Sequence, residues 1–170
     1  MKIICAWCNK VMTEYESRKA EVSHGICPEC LRGLLGGTEI SLREFLDTLE
    51  FPVLIADKSA MVQQANRTAG RMFGRDASKL ENTTVGMAIE CFNALVPGGC
   101  GTAERCAGCV LRQTLTDTYA DGQPRYAMYS KNEILTPQGT KPKRFRFSTT
   151  RIGDTVMLAI EEAQDLSAAS

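Results

Sequence analysis

At 170 residues, with 44% hydrophobic residues, the chain has room for one full-sized domain and a small appendage. Twenty Lys and Arg balance twenty Asp and Glu, which excludes the basic footprint of a phosphate-backbone binder, so nucleic acid is not an expected partner. No apolar run approaches the ~20 residues of a spanning helix, and the start Met1-Lys2-Ile3-Ile4-Cys5 lacks the apolar core and cleavage site of a signal peptide. A cytoplasmic protein off the membrane is expected.

Residues 1–36 carry Cys5, Cys8, Cys27 and Cys30 as C-x2-C-x18-C-x2-C. Two residues of turn bring both sulfurs of a CxxC pair to one side, and two such pairs complete a tetrahedron. In a reducing compartment this spacing points to zinc rather than to disulfides. The shell is complete without His24, which is read as a surface or supporting residue, and Trp7 is expected to pack over the metal knuckle. Lys2, Lys10, Arg18, Lys19 and Arg32 are matched by Glu14, Glu16, Glu21, Glu29 and Glu39, so this module too lacks a nucleic-acid face.

Leu31–Leu35 reads as a helical turn closed by Gly36-Gly37. Within the linker 37–50, Ser41 and Glu44 have capping-box spacing, and Leu42, Phe45, Leu46 and Leu49 make one apolar stripe before Pro52. That stripe needs a partner: the following domain, or the same helix of a second subunit in a homodimer. Next come strands at Val53–Ala56 and Met61–Ala65, then a helix capped by Asn66 and ended by Gly74. Short helices are expected over Ala77–Glu90 and a long helix over Thr102–Tyr119, its stripe Ala107, Leu111, Leu115 and Tyr119. Three strands follow, Arg125–Leu135, Lys143–Ile152 and Thr155–Glu161, and 164–170 is a polar tail. Arg144 and Arg146 alternate with Phe145 and Phe147, which predicts a strand with one solvated face.

A second quartet, Cys91, Cys100, Cys106 and Cys109, is spaced C-x8-C-x5-C-x2-C. Pro97-Gly98-Gly99-Cys100-Gly101 lets backbone approach a bulky anionic centre. Cys106 and Cys109 fall in the expected first turns of the long helix, where free N–H groups favour thiolate. Four thiolates suit a 4Fe–4S cluster or a second zinc; a thiol/disulfide switch and inert buried cysteines remain open. No phosphate loop, HExxH or G-x-S-x-G occurs, so no enzyme activity is expected.

The order of elements from Phe45 to Glu162 resembles a PAS domain, chiefly in Phe51–Asp57, Ala65–Ala69, Phe73-Gly74-Arg75 and Val156–Ile160. Ile4–Cys8 and Ser23–Cys30 are similar to zinc-ribbon-like modules that accompany such domains in bacterial signalling. The resemblance implies an α+β fold over 51–163, a PAS-type five-stranded antiparallel sheet with short helices and one long helix, preceded by the zinc module. It also implies a signal-transduction role with a histidine kinase or response regulator as partner. Members that ligate haem do so through a histidine on or near the long helix; His24, the single histidine, lies elsewhere. Flavin photoreceptors carry Asn-Cys-Arg-Phe-Leu-Gln, and Glu90-Cys91-Phe92-Asn93 lacks its Arg and Gln. The reading is a cytoplasmic sensor holding a metal or iron–sulfur centre and acting in trans, since little chain follows the last strand. The alternatives are a zinc-stabilised adaptor and a thiol-redox switch.

Overall fold

A computed structural model describes residues 1–16, 20–36 and 41–166. Gly37, the first part of the linker, Arg18, Lys19 and the tail 167–170 lie outside them.

The module is more regular than its sequence announces. Strands β1 (Lys2–Cys5), β2 (Val11–Glu14) and β3 (Val22–Gly25) form a three-stranded sheet in the order β2-β1-β3, with β1 antiparallel to β2 and parallel to β3. Helix α1 (Pro28–Leu35) follows, with Pro28 in its first turn, where a missing N–H costs nothing. Helix α2 (Leu42–Thr48) begins at the expected capping box: the Glu44 N–H donates to Ser41 Oγ at 3.2 Å and the Ser41 N–H to Glu44 Oε2 at 2.9 Å.

The larger sheet contains β4 (Val53–Ala56), β5 (Val62–Ala65), β6 (Arg125–Thr136), β7 (Gly139–Ile152) and β8 (Thr155–Asp165), all antiparallel, in the order β5-β4-β8-β7-β6. Between β5 and β6 lie α3 (Arg67–Met72), α4 (Val85–Ala88), several 3₁₀ turns and α5 (Val110–Asp121). The fold is α+β of the PAS type, preceded by a small sheet carrying a cysteine quartet.

Strands β4 and β8 are apolar on both faces, and both faces are covered. Leu54, Ala56, Val156, Leu158 and Ile160 face an inner core with Phe145, Phe147, Leu111 and Leu115. Val53, Ile55, Met157 and Ala159 face an outer core with Phe45, Leu46 and Leu49 of α2 and Ile26 of the module. Trp7, expected over the knuckle, lies against Phe45 of α2, ring centroids 4.3 Å apart. Of the two partners open to the stripe, its own domain is one that it meets: Phe45, Leu46 and Leu49 are buried there and Leu42 is half-buried.

The outer face of β7 is also covered. Arg146, read from sequence as solvated, is buried because β3 packs over it. Its Nη2 donates to the Val22 carbonyl at 3.2 Å, and its Nη1 lies 3.0 Å from Glu161 Oε2, off the line of a hydrogen bond. Glu161 is the extra residue of a β-bulge, since Arg146 pairs with Glu162 and Phe147 with Ile160. Its carboxylate also accepts from the His24 N–H at 3.0 Å, Ser23 Oγ at 3.1 Å and Ser148 Oγ at 2.7 Å. One buried carboxyl group therefore ties module to sheet. His24 stacks on Phe51 at 4.1 Å, fixing the module against the approach to β4.

Asn66 organises the entry to the domain. Fully buried, it accepts from the N–H of Val53 at 2.9 Å and of Ala69 at 2.8 Å, and donates to the carbonyls of Leu46 at 3.0 Å and Phe51 at 2.9 Å. It is helix cap and strand anchor at once.

Candidate metal centres

The first quartet is assembled by two turns. Cys5 ends β1, and Asn9, at φ 58°, reverses the chain so that its N–H donates to the Cys5 carbonyl at 2.9 Å. Asn tolerates that left-handed conformation better than most residues. Cys27 is the residue before α1 and Cys30 lies in its first turn. The four sulfurs all lie within 4.8 Å of one another, with Cys8 Sγ and Cys27 Sγ at 3.9 Å. A tetrahedral ion with Zn–S bonds of about 2.3 Å sets its sulfurs about 3.8 Å apart. The Cys27 N–H donates to Cys5 Sγ at 3.3 Å. Burial pushes the Cys5 thiol up, but N–H groups of Cys27, Cys8 and Trp7 outweigh it and bring the thiol down to about 7. Burial and the neighbouring thiols push Cys30 the other way. A divalent cation resolves the conflict by compensating several thiolates together.

The second quartet is built differently. All four of its cysteines line one cavity of about 200 Å³ between α5, α4 and β6, whose apolar wall includes Val85, Ile89, Leu111 and Leu115. Cys91 follows Glu90, held at φ 60°, and its N–H donates to the Gly86 carbonyl at 2.8 Å. A bridge to Ile134 ties Cys91 to β6. Burial pushes its thiol up, and the charges of Cys109 and Cys100 add to that. Cys100 sits in the glycine turn, where Gly98, Gly99 and Gly101 have φ of 92°, 79° and 98°. A Cβ on Gly101 would lie 2.5 Å from the guanidinium carbon of Arg112, whose Nη1 donates to the Cys100 carbonyl at 3.2 Å, and the φ of 98° itself favours glycine there.

The long helix starts later than its sequence predicts. Cys106 lies in a 3₁₀ turn at Glu104–Gly108, and Cys109 is the residue before α5, not part of it. Ala107 is accordingly exposed, while Leu111 and Leu115 are buried as expected. Cys109 is the N-cap residue of this twelve-residue helix, although its sulfur accepts no hydrogen bond from the helix N–H groups.

Among the described residues, the N-terminal quartet is the one group of metal-binding side chains with its ligand atoms drawn within 4.8 Å. The PAS quartet shares a cavity without closing on a point. Three contributors to this site escaped the sequence reading: Asn132, whose Nδ2 lies 3.8 Å from Cys109 Sγ; Gly86, where an added Cβ would sit 2.6 Å from Cys100 Sγ; and Glu90. A polar Asn among inward positions of a strand was the available signal.

No family model matches the chain, and no curated protein matches it. Solved structures do. A PAS domain from Desulfitobacterium hafniense is 18% identical, covering 72% of this chain and 98% of that one, with a TM-score of 0.41. The photoactive yellow protein domain of the sensor histidine kinase Ppr from Rhodospirillum centenum is 14% identical over 76% of this chain and 96% of that one, TM-score 0.41. The PAS domain of the Cronobacter turicensis RpfR quorum-sensing receptor, in complex with BDSF, is 16% identical over 69% and 95%, TM-score 0.41. At such scores the PAS assignment rests on strand order and connectivity. Among the described residues no helix is long and apolar enough to cross a membrane.

Proposed function

We propose that this chain is a non-catalytic cytoplasmic sensor whose PAS cavity holds an iron–sulfur centre on Cys91, Cys100, Cys106 and Cys109, with zinc bound by Cys5, Cys8, Cys27 and Cys30. The observation that carries the reading is the meeting of four cysteines, Cys91, Cys100 and the neighbouring pair Cys106 and Cys109, on one cavity. Zinc favours sulfurs close around one point, as in the N-terminal quartet. A cluster spreads its sulfurs wider, because each caps a different iron. Arg105, Arg112 and Lys131 line the same cavity and offset the charge of four thiolates.

When bound, such a centre supplies one-electron chemistry and sensitivity to oxygen. The chain's own residues transmit the change. Cys109 leads directly into α5, and Thr118 of α5 meets Thr149 of β7 at 2.7 Å inside the core. Cys91 is bridged to β6. A shift in charge at the cavity therefore bears on one helix and two strands, and the output passes in trans to a signalling protein such as a histidine kinase or response regulator.

The test is anaerobic purification with iron supplied, followed by iron, sulfide, zinc and visible-absorbance measurements. A brown protein that bleaches in air, and a colourless Cys106→Ser variant that keeps its zinc, are expected. Colourless wild-type protein with two zinc ions per chain would overturn the reading in favour of a zinc-stabilised adaptor.

A further inference from the structure

Strand β6 departs from the pattern of a core strand where it passes the cavity. Its inward positions run Ser130, Asn132, Ile134, and the first two are polar yet buried, with exposures of 3% and 8%. A buried carboxamide is costly unless its donors and acceptor find partners. The acceptor is satisfied at once: Ser130 Oγ donates to Asn132 Oδ1 at 2.6 Å. That contact fixes the plane and sense of the amide, and its nitrogen then lies 3.8 Å from Cys109 Sγ. A metal-bound thiolate has only lone pairs to offer, so the N–H end is the end that suits it. Asn132 and Cys109 line the same cavity.

We infer that Asn132, held in place by Ser130, is a positioning residue that raises the electron affinity of the four-cysteine centre through its N–H donated to the Cys109 sulfur. The inference rests on the iron–sulfur reading above. Its physical basis is differential. Reduction adds one negative charge to a site already anionic through its thiolates, and part of that charge resides on the sulfurs. A donor aimed at one sulfur is therefore worth more to the reduced form than to the oxidised one, and more still where water is scarce. A neutral carboxamide does this without protonating the thiolate or placing a cation in the cavity. The electron comes from a one-electron donor, in the assay a mediator dye poised with dithionite; no bond breaks and no ligand leaves.

The experiment uses the iron-loaded full chain, wild type against Asn132→Leu, Ser130→Ala and Asn132→Gln, with iron content and anaerobic redox titration of the visible absorbance as readouts. Asn132→Leu should keep its iron and shift the oxidised-to-reduced ratio at fixed potential by about tenfold, about 59 mV downward for a one-electron couple. Ser130→Ala should move the same way by less, and carries the test if the leucine variant fails to fold. Asn132→Gln, which keeps a donor, should recover part of the shift. Wild-type midpoints with full iron in Asn132→Leu or Ser130→Ala would overturn the inference while leaving the centre standing. Folded variants that lose their iron would overturn it too, by making Asn132 a requirement for assembly. Wild-type protein without iron would remove the centre and this inference together.

Discussion

Replacing Glu161 by alanine removes a buried carboxylate that joins the N-terminal module to the PAS sheet. Its side chain is 1% exposed, and that of its partner Arg146 is 10% exposed. The substitution strands Arg146 and takes the acceptor from the His24 N–H, Ser23 Oγ and Ser148 Oγ. Truncating one partner of a buried ion pair costs about 3–5 kcal/mol. Arg146 keeps the Val22 carbonyl and a 3.7 Å approach to Glu162, which recovers part of this. A loss of ~3 kcal/mol is expected, lowering Tm by about 10 °C for a chain of this length. Thermal melts with hydrogen exchange would measure it, and the amides of Val22–Gly25 should lose protection first. A melting point within about 2 °C of wild type, or a fall without faster exchange in β3, would refute the reasoning.

The same carboxyl carries a pH signature. Burial pushes Glu161 above its ordinary value of 4.5, outweighing the hydrogen bonds from Ser148 and His24 and the charge of Arg146. The folded protein then holds this proton more tightly than the unfolded chain. Its contribution to stability is present in full below 4.5 and falls as pH rises through the raised value. Glu161→Gln, which cannot ionise, should flatten that part of the Tm–pH curve; an unchanged slope would assign the effect elsewhere.

Three further perturbations follow from the packing. Cys27→Ser should abolish zinc binding, release the module and uncover Phe45, Leu46 and Met157, read as zinc loss with new dye-binding apolar surface; stoichiometric zinc in the variant would count against the site. Asn66→Ala should cost at least ~3 kcal/mol in urea unfolding, because two backbone N–H groups lose their buried acceptor. Gly86→Ala, with a Cβ 2.6 Å from Cys100 Sγ, should leave the circular dichroism intact but lower iron retention severalfold; full iron would show that Cys100 is not a ligand.

Much of this fold is legible because local chemistry and tertiary structure agree. Ser41 and Glu44 mark a helix start wherever the helix packs, and Asn66 before Ala69 marks another. The runs Val53–Ala56 and Val156–Ile160 predict buried strands and hold a further message. In an antiparallel sheet, apolar residues on both faces mean that something covers both. Here the second cover is α2 and the N-terminal module, and the stripe's partner includes its own domain. Arg146 misled for the same reason, since alternation with phenylalanine reveals two faces but not that another module lies on the second. The module's strands are four residues each, too short for periodicity to register. Gly108 and the extended Cys109 delay α5 by a turn geometry that helix spacing does not encode.

The two quartets differ in what their surroundings require of them. Cys5, Cys8, Cys27 and Cys30 close on a point within a module of three short strands and one helix, whose apolar side chains are largely spent on the outer face of the PAS sheet. Such a module has little core to fall back on, and a metal bound there would be part of its folding free energy. Cys91, Cys100, Cys106 and Cys109 border a domain whose inner core, from Leu54 and Leu80 to Phe147 and Leu158, is buried by apolar contacts of its own. Three of the four are only half-buried and sit in or beside turns, and Cys91 is bridged to the sheet through its backbone. The proposed centre, held that way, would change charge or be lost while the scaffold stays folded, which is the physical requirement for a switch: two states of one fold whose balance a bound group shifts. On the proposed reading, a metal on the first quartet would hold the module together, and a centre on the second would let the domain respond.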